Sequence, residues 1–201
     1  MRMFKIKTTE GLLINPYRIL WHVSLGMLVF IVMVRTYPST RLIVISLLVA
    51  LFVFGAVDIL RFTTKFGKRI FWKYLYFLTS KKEARGPNAS LYYVLSLIIV
   101  VTVFSPRIAM GAIICLAIGD AVANIVGKIV GRYRVKGKSI EGAIANFLVC
   151  FFILIFIVPS TMIAFAGALA GSAIELLPVP VDDNISIPLF SGFVMTVVSK
   201  L

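Results

Sequence analysis

Residues 107–130 read RIAMGAIICLAIGDAVANIVGKIV. The run is long and apolar enough to cross a bilayer as a helix, since a membrane span needs roughly 20 mostly apolar residues. Yet it carries Asp120, Asn124 and Lys128 at four-residue spacing, which places the three side chains along one face of a helix. A carboxylate in a membrane helix is costly and normally faces a polar cavity. The run therefore predicts a membrane helix that borders a polar site.

The whole chain has the composition of a membrane protein. Of its 201 residues, 60% are hydrophobic and only 14% are charged, and the mean hydropathy is +1.02. A soluble fold would expose too much of this apolar surface, so residues 1–201 are predicted to form one all-α, polytopic membrane domain. Seven transmembrane helices are predicted, near 19–34, 42–60, 89–104, 107–130, 140–158, 159–177 and 185–199.

The distribution of charge predicts the orientation of these helices. With the N-terminus in the cytoplasm, most of the 21 lysines and arginines fall on the cytoplasmic side, as the positive-inside rule requires. The exceptions are Arg35, Arg41, Arg107 and Lys200. The net charge of +13 is explained by this bias, so no nucleic-acid partner is predicted. All eight acids also fall near the predicted cytoplasmic face, which indicates a shared polar site there.

Two further patterns have mainly structural interpretations. Gly119, Ala123, Gly127 and Gly131 recur every four residues, and small residues at this spacing let membrane helices approach closely. Aromatic and basic residues alternate near 66–79, which predicts an amphipathic helix lying in the membrane interface. This second segment would be either a lipid-anchored connector or a wall for a lipid substrate.

The loop GRYRVKGKSIEG at 131–142 is a candidate phosphate site. Ser139 is a plausible N-cap of the next helix, and a helix N-terminus offers amide hydrogens and partial positive charge to a phosphate. Lys138 and Arg132 can add positive charge, and Gly137 allows close backbone approach. The alternative is an ordinary basic cytoplasmic loop. The glycine spacing of a Walker loop is absent.

The segment ELLPVPVDDNISIPL at 175–189 carries adjacent acids before a predicted helix. Helix capping accounts for one of Asp182 and Asp183. Both acids, with Asn184 and Glu175, are also the oxygen ligands that Mg²⁺ prefers when it bridges to substrate phosphates. A multi-histidine metal site is excluded because His22 is the only histidine.

Together these segments predict a cytoplasmic cleft with acids for a metal and with amides and cations for phosphate. Phosphoryl transfer needs positioning and charge neutralisation more than covalent chemistry. A site at the membrane implies that one substrate is a lipid.

The stretches GDAVANIVGKIVGR, GKSIEG and ELLPVPVDDNISIPL, in this order, resemble the dolichol kinase/phytol kinase family. Members of that family are integral-membrane kinases that phosphorylate lipid alcohols, typically with CTP. The family includes CTP-dependent diacylglycerol kinases and is related to phosphatidate cytidylyltransferases. The similarity covers roughly residues 55–195 and includes the run DILR at 58–61. It implies that the first two stretches handle the nucleotide and that Asp182, Asp183 and Asn184 belong to a second motif.

The prediction is a membrane lipid kinase that transfers the terminal phosphoryl group of a nucleoside triphosphate, CTP by resemblance, to a lipid hydroxyl. The acceptor would be an isoprenoid alcohol of the dolichol, polyprenol or phytol type, or a diacylglycerol-like lipid. One alternative is a cytidylyltransferase that makes a CDP-lipid, and a second is a small-solute transporter. The protein would lie in the cell membrane, or in the endoplasmic reticulum of a eukaryote, and a homo-oligomer is compatible with the sequence.

Individual roles follow from this prediction. Asp120 or Asp183 would be the catalytic base, and Asp120 with one or both of Asp182 and Asp183 would bind Mg²⁺. The predicted nucleotide- and phosphate-binding residues are Asn124, Lys128, Arg132, Lys138, Ser139, Glu141 and Asn184.

Overall fold

A computed structural model describes residues 6–7, 13–36, 40–75, 86–135 and 137–201. Each of the seven apolar segments predicted to be helical is helical. The helices are α1 (Pro16–Thr36), α2 (Arg41–Thr63), α3 (Lys65–Ile70), α4 (Ala89–Val103), α5 (Pro106–Ile114), α6 (Asp120–Ile129), α7 (Ile140–Leu154), α8 (Thr161–Leu176) and α9 (Asp183–Val198). Two short antiparallel hairpins complete the described residues: β1 (Ile6–Lys7) with β2 (Leu13–Ile14), and β3 (Arg134–Val135) with β4 (Lys138–Ser139).

The chain is an all-α membrane protein, but only part of the predicted span count is confirmed. Among the residues that the structure describes, three helical runs are long and apolar enough to cross a membrane: α1, α2 and the continuous run Pro106–Ile129. The apolar helices α4, α7, α8 and α9 have 15 or 16 residues each. At about 1.5 Å per residue they are shorter than a hydrocarbon core of about 30 Å. Seven complete spans therefore remain a prediction.

Burial separates the central helices from the peripheral ones. About 67% of the apolar window of Pro106–Ile129 is buried, against 17% for the windows of α1 and α2. Helices α7, α8 and α9 pack in series around this central run, and α4 contacts both α2 and α9. Asp120, the carboxylate within the apolar run, therefore lies on the central helix of the bundle.

The small-residue stripe packs against α7, as predicted. A Cβ atom built on Gly127 would lie 2.6 Å from Ser139 Oγ, and one on Gly142 would lie 2.7 Å from the Ala123 carbonyl oxygen. A Cβ atom on Gly119 would meet the side chains of Asn146 and Cys150. The spacing therefore brings the backbones of α6 and α7 close together, and the polar residues beside the stripe are held near the start of α7.

Local capping explains where several helices begin. The Asn15 side chain accepts a hydrogen bond from the Arg18 amide at 3.3 Å, so α1 begins at Pro16 rather than near residue 19. The Ser160 hydroxyl accepts from the Ile163 amide and places the start of α8 after the proline at 159. The helix predicted over 140–158 ends as α7 at Leu154.

The segment near 66–79, predicted to be an interfacial helix, is described only in part, and the described part is helical. Helix α3 covers Lys65–Ile70 and continues as a π-helical turn, Phe71–Leu75. Phe66 is 73% exposed and Trp72 is 39% exposed, whereas Phe71 is buried beneath the Arg61 guanidinium. The remainder of the prediction, residues 76–79, lies outside the described residues.

Candidate active site

A cavity of about 620 Å³ brings together the polar segments singled out in the sequence. Its walls come from α1, the residues before α4, α6, the β3–β4 hairpin, α8 and the start of α9. The acids that line it are Asp120, Glu175, Asp182 and Asp183, and the bases are Arg18, Lys128, Arg134 and Lys138. Oppositely charged groups from distant parts of the chain therefore converge at one place.

Asp120 enters this cavity immediately after an irregularity in its helix. The turn Cys115–Gly119 is π-helical, and regular α-helix resumes at Asp120. Single π turns within α-helices occur frequently at functional sites. Asp120, Asn124 and Lys128 all line the cavity, which confirms that their spacing aligns them on one face. Among the described residues, Asn124 Oδ1 is a buried oxygen with no hydrogen-bond partner.

The β3–β4 hairpin carries Lys138 into the acidic part of the cavity. Gly137 has a φ of 93°, a left-handed conformation that glycine adopts without strain, and Val135 pairs with Lys138 across the hairpin. Lys138 Nζ donates a hydrogen bond to Asp183 Oδ2 at 2.6 Å and lies 3.9 Å from Glu175 Oε1. Burial lowers the pKa of Lys138, but the charge and hydrogen bond of Asp183 raise it, as do the charges of Asp120 and Glu175, so the pKa is raised overall.

Glu175 and Asn146 form a buried pair behind Lys138. Asn146 Nδ2 donates to Glu175 Oε2 at 2.7 Å, and Asn146 is completely buried. Asn146 Oδ1 in turn accepts from the Cys150 thiol at 3.2 Å. This arrangement holds one oxygen of Glu175 and leaves the other directed toward Lys138. The sequence points to Glu175 as a candidate Mg²⁺ ligand beside the acidic turn, but it gives no indication of Asn146, which lies inside an apolar run with no motif around it.

Ser139 caps α7 as predicted, and its hydroxyl accepts from the Gly142 amide at 3.0 Å. Glu141, however, does not line the cavity. Its Oε1 accepts from the backbone amides of Arg132 and Tyr133 at 2.9 and 3.1 Å, so this carboxylate braces the loop. A direct contact of Glu141 with a nucleotide, as predicted from the sequence, does not fit this position.

Arg134, rather than Arg132, is the loop arginine that reaches the cavity. Arg132 is exposed and lies outside the cavity lining. Arg134 Nη2 donates to the carbonyl oxygens of Gly127 at 2.9 Å and Gly131 at 3.3 Å, at the C-terminal end of α6. The two arginines are only two residues apart in the sequence. The position of Arg134 in strand β3 of the hairpin is what brings it, and not Arg132, to the cavity.

The two acids of the acidic turn, Asp182 and Asp183, have different roles: one caps a helix and the other forms an ion pair. Asp182 Oδ1 accepts from the Asn184 amide at 3.1 Å and from Asn184 Nδ2 at 2.7 Å, so Asp182 is the N-cap of α9. Asp183 pairs with Lys138 instead. Capping therefore accounts for one of the two acids, as predicted.

The donors around the cavity fit a hard cation in kind, because they are carboxylate and amide oxygens. In the part of the chain that the structure describes, no three His, Cys, Asp or Glu residues are grouped as a metal site. Asn124 Oδ1 is an unsatisfied oxygen beside Asp120 that a cation could engage. Since Mg²⁺ is commonly held by one or two carboxylates plus substrate phosphates, a complete protein ligand set is not required.

A buried ion pair on α2 supports the cavity wall. Arg61 Nη2 lies 2.9 Å from Asp58 Oδ1, and both side chains are buried. Arg61 also donates to the Gly86 carbonyl oxygen at 2.8 Å, and Asp58 Oδ2 accepts from the Asn88 amide at 2.7 Å. This ion pair thus also holds the turn at 86–88, part of which lines the cavity.

Asp58→Asn is expected to lower the free energy of unfolding by about 3–5 kcal/mol, because it leaves the Arg61 charge buried without its acidic partner. Thermal unfolding of the purified protein in detergent measures this loss. The double variant Asp58→Asn, Arg61→Met removes both charges and is expected to recover part of the stability. Unfolding of the single variant at the wild-type temperature would contradict the role given to this pair.

The fold and the cavity define an α-helical membrane protein with a charged site. This site combines acidic side chains with lysines and arginines of the kind that bind phosphate. Two proteins of Saccharomyces cerevisiae are similar in sequence. Dolichol kinase is 28% identical over 201 residues, covering 90% of this chain and 36% of the relative. CTP-dependent diacylglycerol kinase 1 is 25% identical over 183 residues, covering 77% of this chain and 63% of the relative. The chain thus spans between about a third and two thirds of these relatives' lengths.

These two matches confirm the resemblance to the CTP-dependent lipid kinase family. No family model matches the chain. No solved structure matches it either.

Proposed function

We propose that this protein is a membrane lipid kinase that transfers the terminal phosphoryl group of a nucleoside triphosphate to a lipid hydroxyl. The observation that carries the proposal is the convergence of Asp120, Lys138 and Asp183 in one cavity of an apolar helical bundle. Similarity to two proteins named as lipid kinases supports the same reaction. CTP is the proposed donor, in keeping with the name of the diacylglycerol kinase relative.

The triphosphate would lie in the cavity, among the basic and acidic side chains that line it. Lys138 and Arg134 provide positive charge from the hairpin, and Lys128 and Arg18 provide it from the opposite helices. Asp120 and Asp183, with Asp182 and Asn124 nearby, would hold Mg²⁺, whose charge offsets that of the phosphates when it is bound. Lys138 lies where the phosphate-binding cations meet the acids, because it is paired with Asp183 and adjacent to Glu175.

The reaction needs a proton acceptor and an aligned alcohol. The lipid oxygen attacks the terminal phosphorus, the bond from this phosphorus to the bridging oxygen breaks, and a nucleoside diphosphate leaves. The proton of the hydroxyl goes to the carboxylate of Asp120 or of Asp183. Asp183 is already compensated by Lys138, so the two acids are not equivalent, and variants of each distinguish their roles.

We propose that the cavity faces the cytoplasm, where the nucleotide is available, and that the seven apolar helices are all embedded in the bilayer. The positive-inside distribution of lysine and arginine supports this orientation. Labelling of single cysteines at the two ends of α1 with a membrane-impermeant reagent would test it.

Purified protein incubated with γ-labelled CTP or ATP and a panel of lipid alcohols tests the function. The expected products are the unlabelled nucleoside diphosphate and a labelled lipid phosphate. When a lipid phosphate is offered as well, a cytidylyltransferase would instead transfer the cytidylyl group to it, forming an unlabelled CDP-lipid and releasing labelled pyrophosphate. Absence of label from every lipid offered, including isoprenoid alcohols and diacylglycerol, would count against the kinase proposal. Label in pyrophosphate would then favour the cytidylyltransferase, and label that stays in the nucleotide would favour the transporter alternative.

A further inference from the structure

A second cavity, of about 690 Å³, lies between α1 and α2. We call it the α1–α2 groove. Apolar side chains of the two helices form most of its lining: Tyr17, Leu20, Trp21, Val53, Phe54 and Val57. Trp21 and Phe54 meet edge to face across it, with ring centroids 6.2 Å apart. The groove is thus a defined apolar cleft with an aromatic brace.

The groove opens toward the surface that meets lipid. Helices α1 and α2 touch little, and their outward side chains are strongly exposed. Leu20 is 65% exposed and Phe52 is 77% exposed. Both helices are candidate membrane spans, so a molecule dissolved in the bilayer has lateral access to the space between them.

One end of the groove is polar and lies next to the charged cavity. Asp58, Asn88 and Ser90 line this end, and Ser90 Oγ accepts a hydrogen bond from Trp21 Nε1 at 3.3 Å. Asn88 and Ser90 flank Ala89, which lines the charged cavity. The two cavities therefore lie on either side of the start of α4.

Helix α1 also borders both cavities. Tyr17 lines the α1–α2 groove, whereas the next residue, Arg18, lines the charged cavity. A ligand in the groove would have its polar end at the boundary between the groove and the charged cavity. This arrangement fits a molecule with a long apolar chain and a single polar end.

We propose that the α1–α2 groove holds the apolar chain of the lipid alcohol acceptor, with its hydroxyl at the Ser90 end, beside the charged cavity. The inference rests on the proposed kinase function. Because bilayer lipid is as apolar as the groove, burial of the chain contributes little affinity, and the groove acts by aligning the hydroxyl with the phosphate. Filling the groove should therefore affect use of the lipid and leave use of the nucleotide unchanged.

Val53→Trp and Ser24→Phe each add bulk to the groove, from α2 and from α1 respectively. Leu48→Trp is the matched control, since Leu48 and Val53 are both 49% exposed on α2 and only Val53 lines the groove. With purified protein, each groove variant is expected to lower kcat/KM for a long isoprenoid alcohol by about tenfold, because the hydroxyl is no longer aligned with the phosphate. The KM for the nucleotide, and every constant of Leu48→Trp, should stay at the wild-type value.

A photoactivatable long-chain alcohol supplies a second readout that does not depend on turnover. It is expected to label peptides of α1 and α2, and labelling should decrease with unlabelled isoprenoid alcohol but not with phosphatidylcholine. Equal competition by phosphatidylcholine would make the groove a general lipid site and overturn the inference. So would groove variants whose kcat/KM for the lipid equals that of Leu48→Trp in an active kinase, whereas a wild-type protein that phosphorylates no lipid would overturn the proposed function instead.

Discussion

Asp120→Asn is expected to abolish measurable phosphoryl transfer while the protein still inserts and folds. Asparagine has nearly the same shape as aspartate, so packing on the central helix is retained, but the negative charge in the cavity is lost. Loss of one preorganised electrostatic group at a reacting centre typically lowers kcat by about 100- to 1,000-fold. Transfer of γ-label from the nucleotide to the lipid, followed in detergent, measures the change.

Glu141→Gln is the control for this variant, because it makes the same chemical change at a carboxylate that braces the loop outside the cavity lining. It is expected to lose less than about tenfold in kcat, since only two loop hydrogen bonds are weakened. Thermal unfolding of both variants separates lost chemistry from lost stability. Near-normal activity of Asp120→Asn would show that the metal and base assignments of Asp120 are wrong.

Lys138→Met is expected to lower kcat/KM for the nucleotide by about 100-fold, since it removes a cation from the phosphate site. The lysine also pairs with Asp183 at 2.6 Å and lies near Glu175. Its loss therefore leaves the negative charges of these two acids uncompensated by a lysine, and they repel each other more strongly. Titration of activity with nucleotide at saturating lipid measures the effect. Lys68→Met, at an exposed lysine of α3, should leave kcat/KM unchanged.

A double-mutant cycle with Glu175→Gln tests how Lys138 is positioned. If Glu175 acts through Lys138, then Glu175→Gln lowers kcat/KM in the wild-type background but adds little once Lys138 is methionine. Additive losses would mean that Glu175 affects the reaction independently. If Lys138→Met showed wild-type kinetics, the assignment of the hairpin to the phosphate site would be wrong.

Much of the site was predictable because its main residues lie in short, ordered segments. The spacing of Asp120, Asn124 and Lys128 requires only a regular helix, and all three line the cavity. Capping by Ser139 and Asp182 is equally local, because each side chain binds an amide two or three residues away. Such features depend on backbone geometry within one turn and can be inferred without knowing the fold.

The predicted residues that lie outside the cavity lining have the opposite character. Glu141 and Arg132 carry the right chemistry for a phosphate site, yet the loop conformation directs Glu141 to backbone amides and leaves Arg132 exposed. Arg18 and Arg134 are not among the residues predicted for the site, yet both line the cavity. The direction in which a loop side chain points depends on how the hairpin is seated against other helices, which no local pattern encodes.

The sequence by itself determined that this is an apolar helical membrane protein, where its helices lie and which motifs carry charge. Helix formation and membrane insertion depend on apolarity and hydrogen bonding within each segment, so they can be recognised locally. Only the tertiary structure decided that Lys138 bridges Asp183 and Glu175, that Asn146 lies behind them, and that an apolar groove adjoins the charged cavity. These contacts join residues 29 to 45 positions apart, and their formation depends on how whole helices pack.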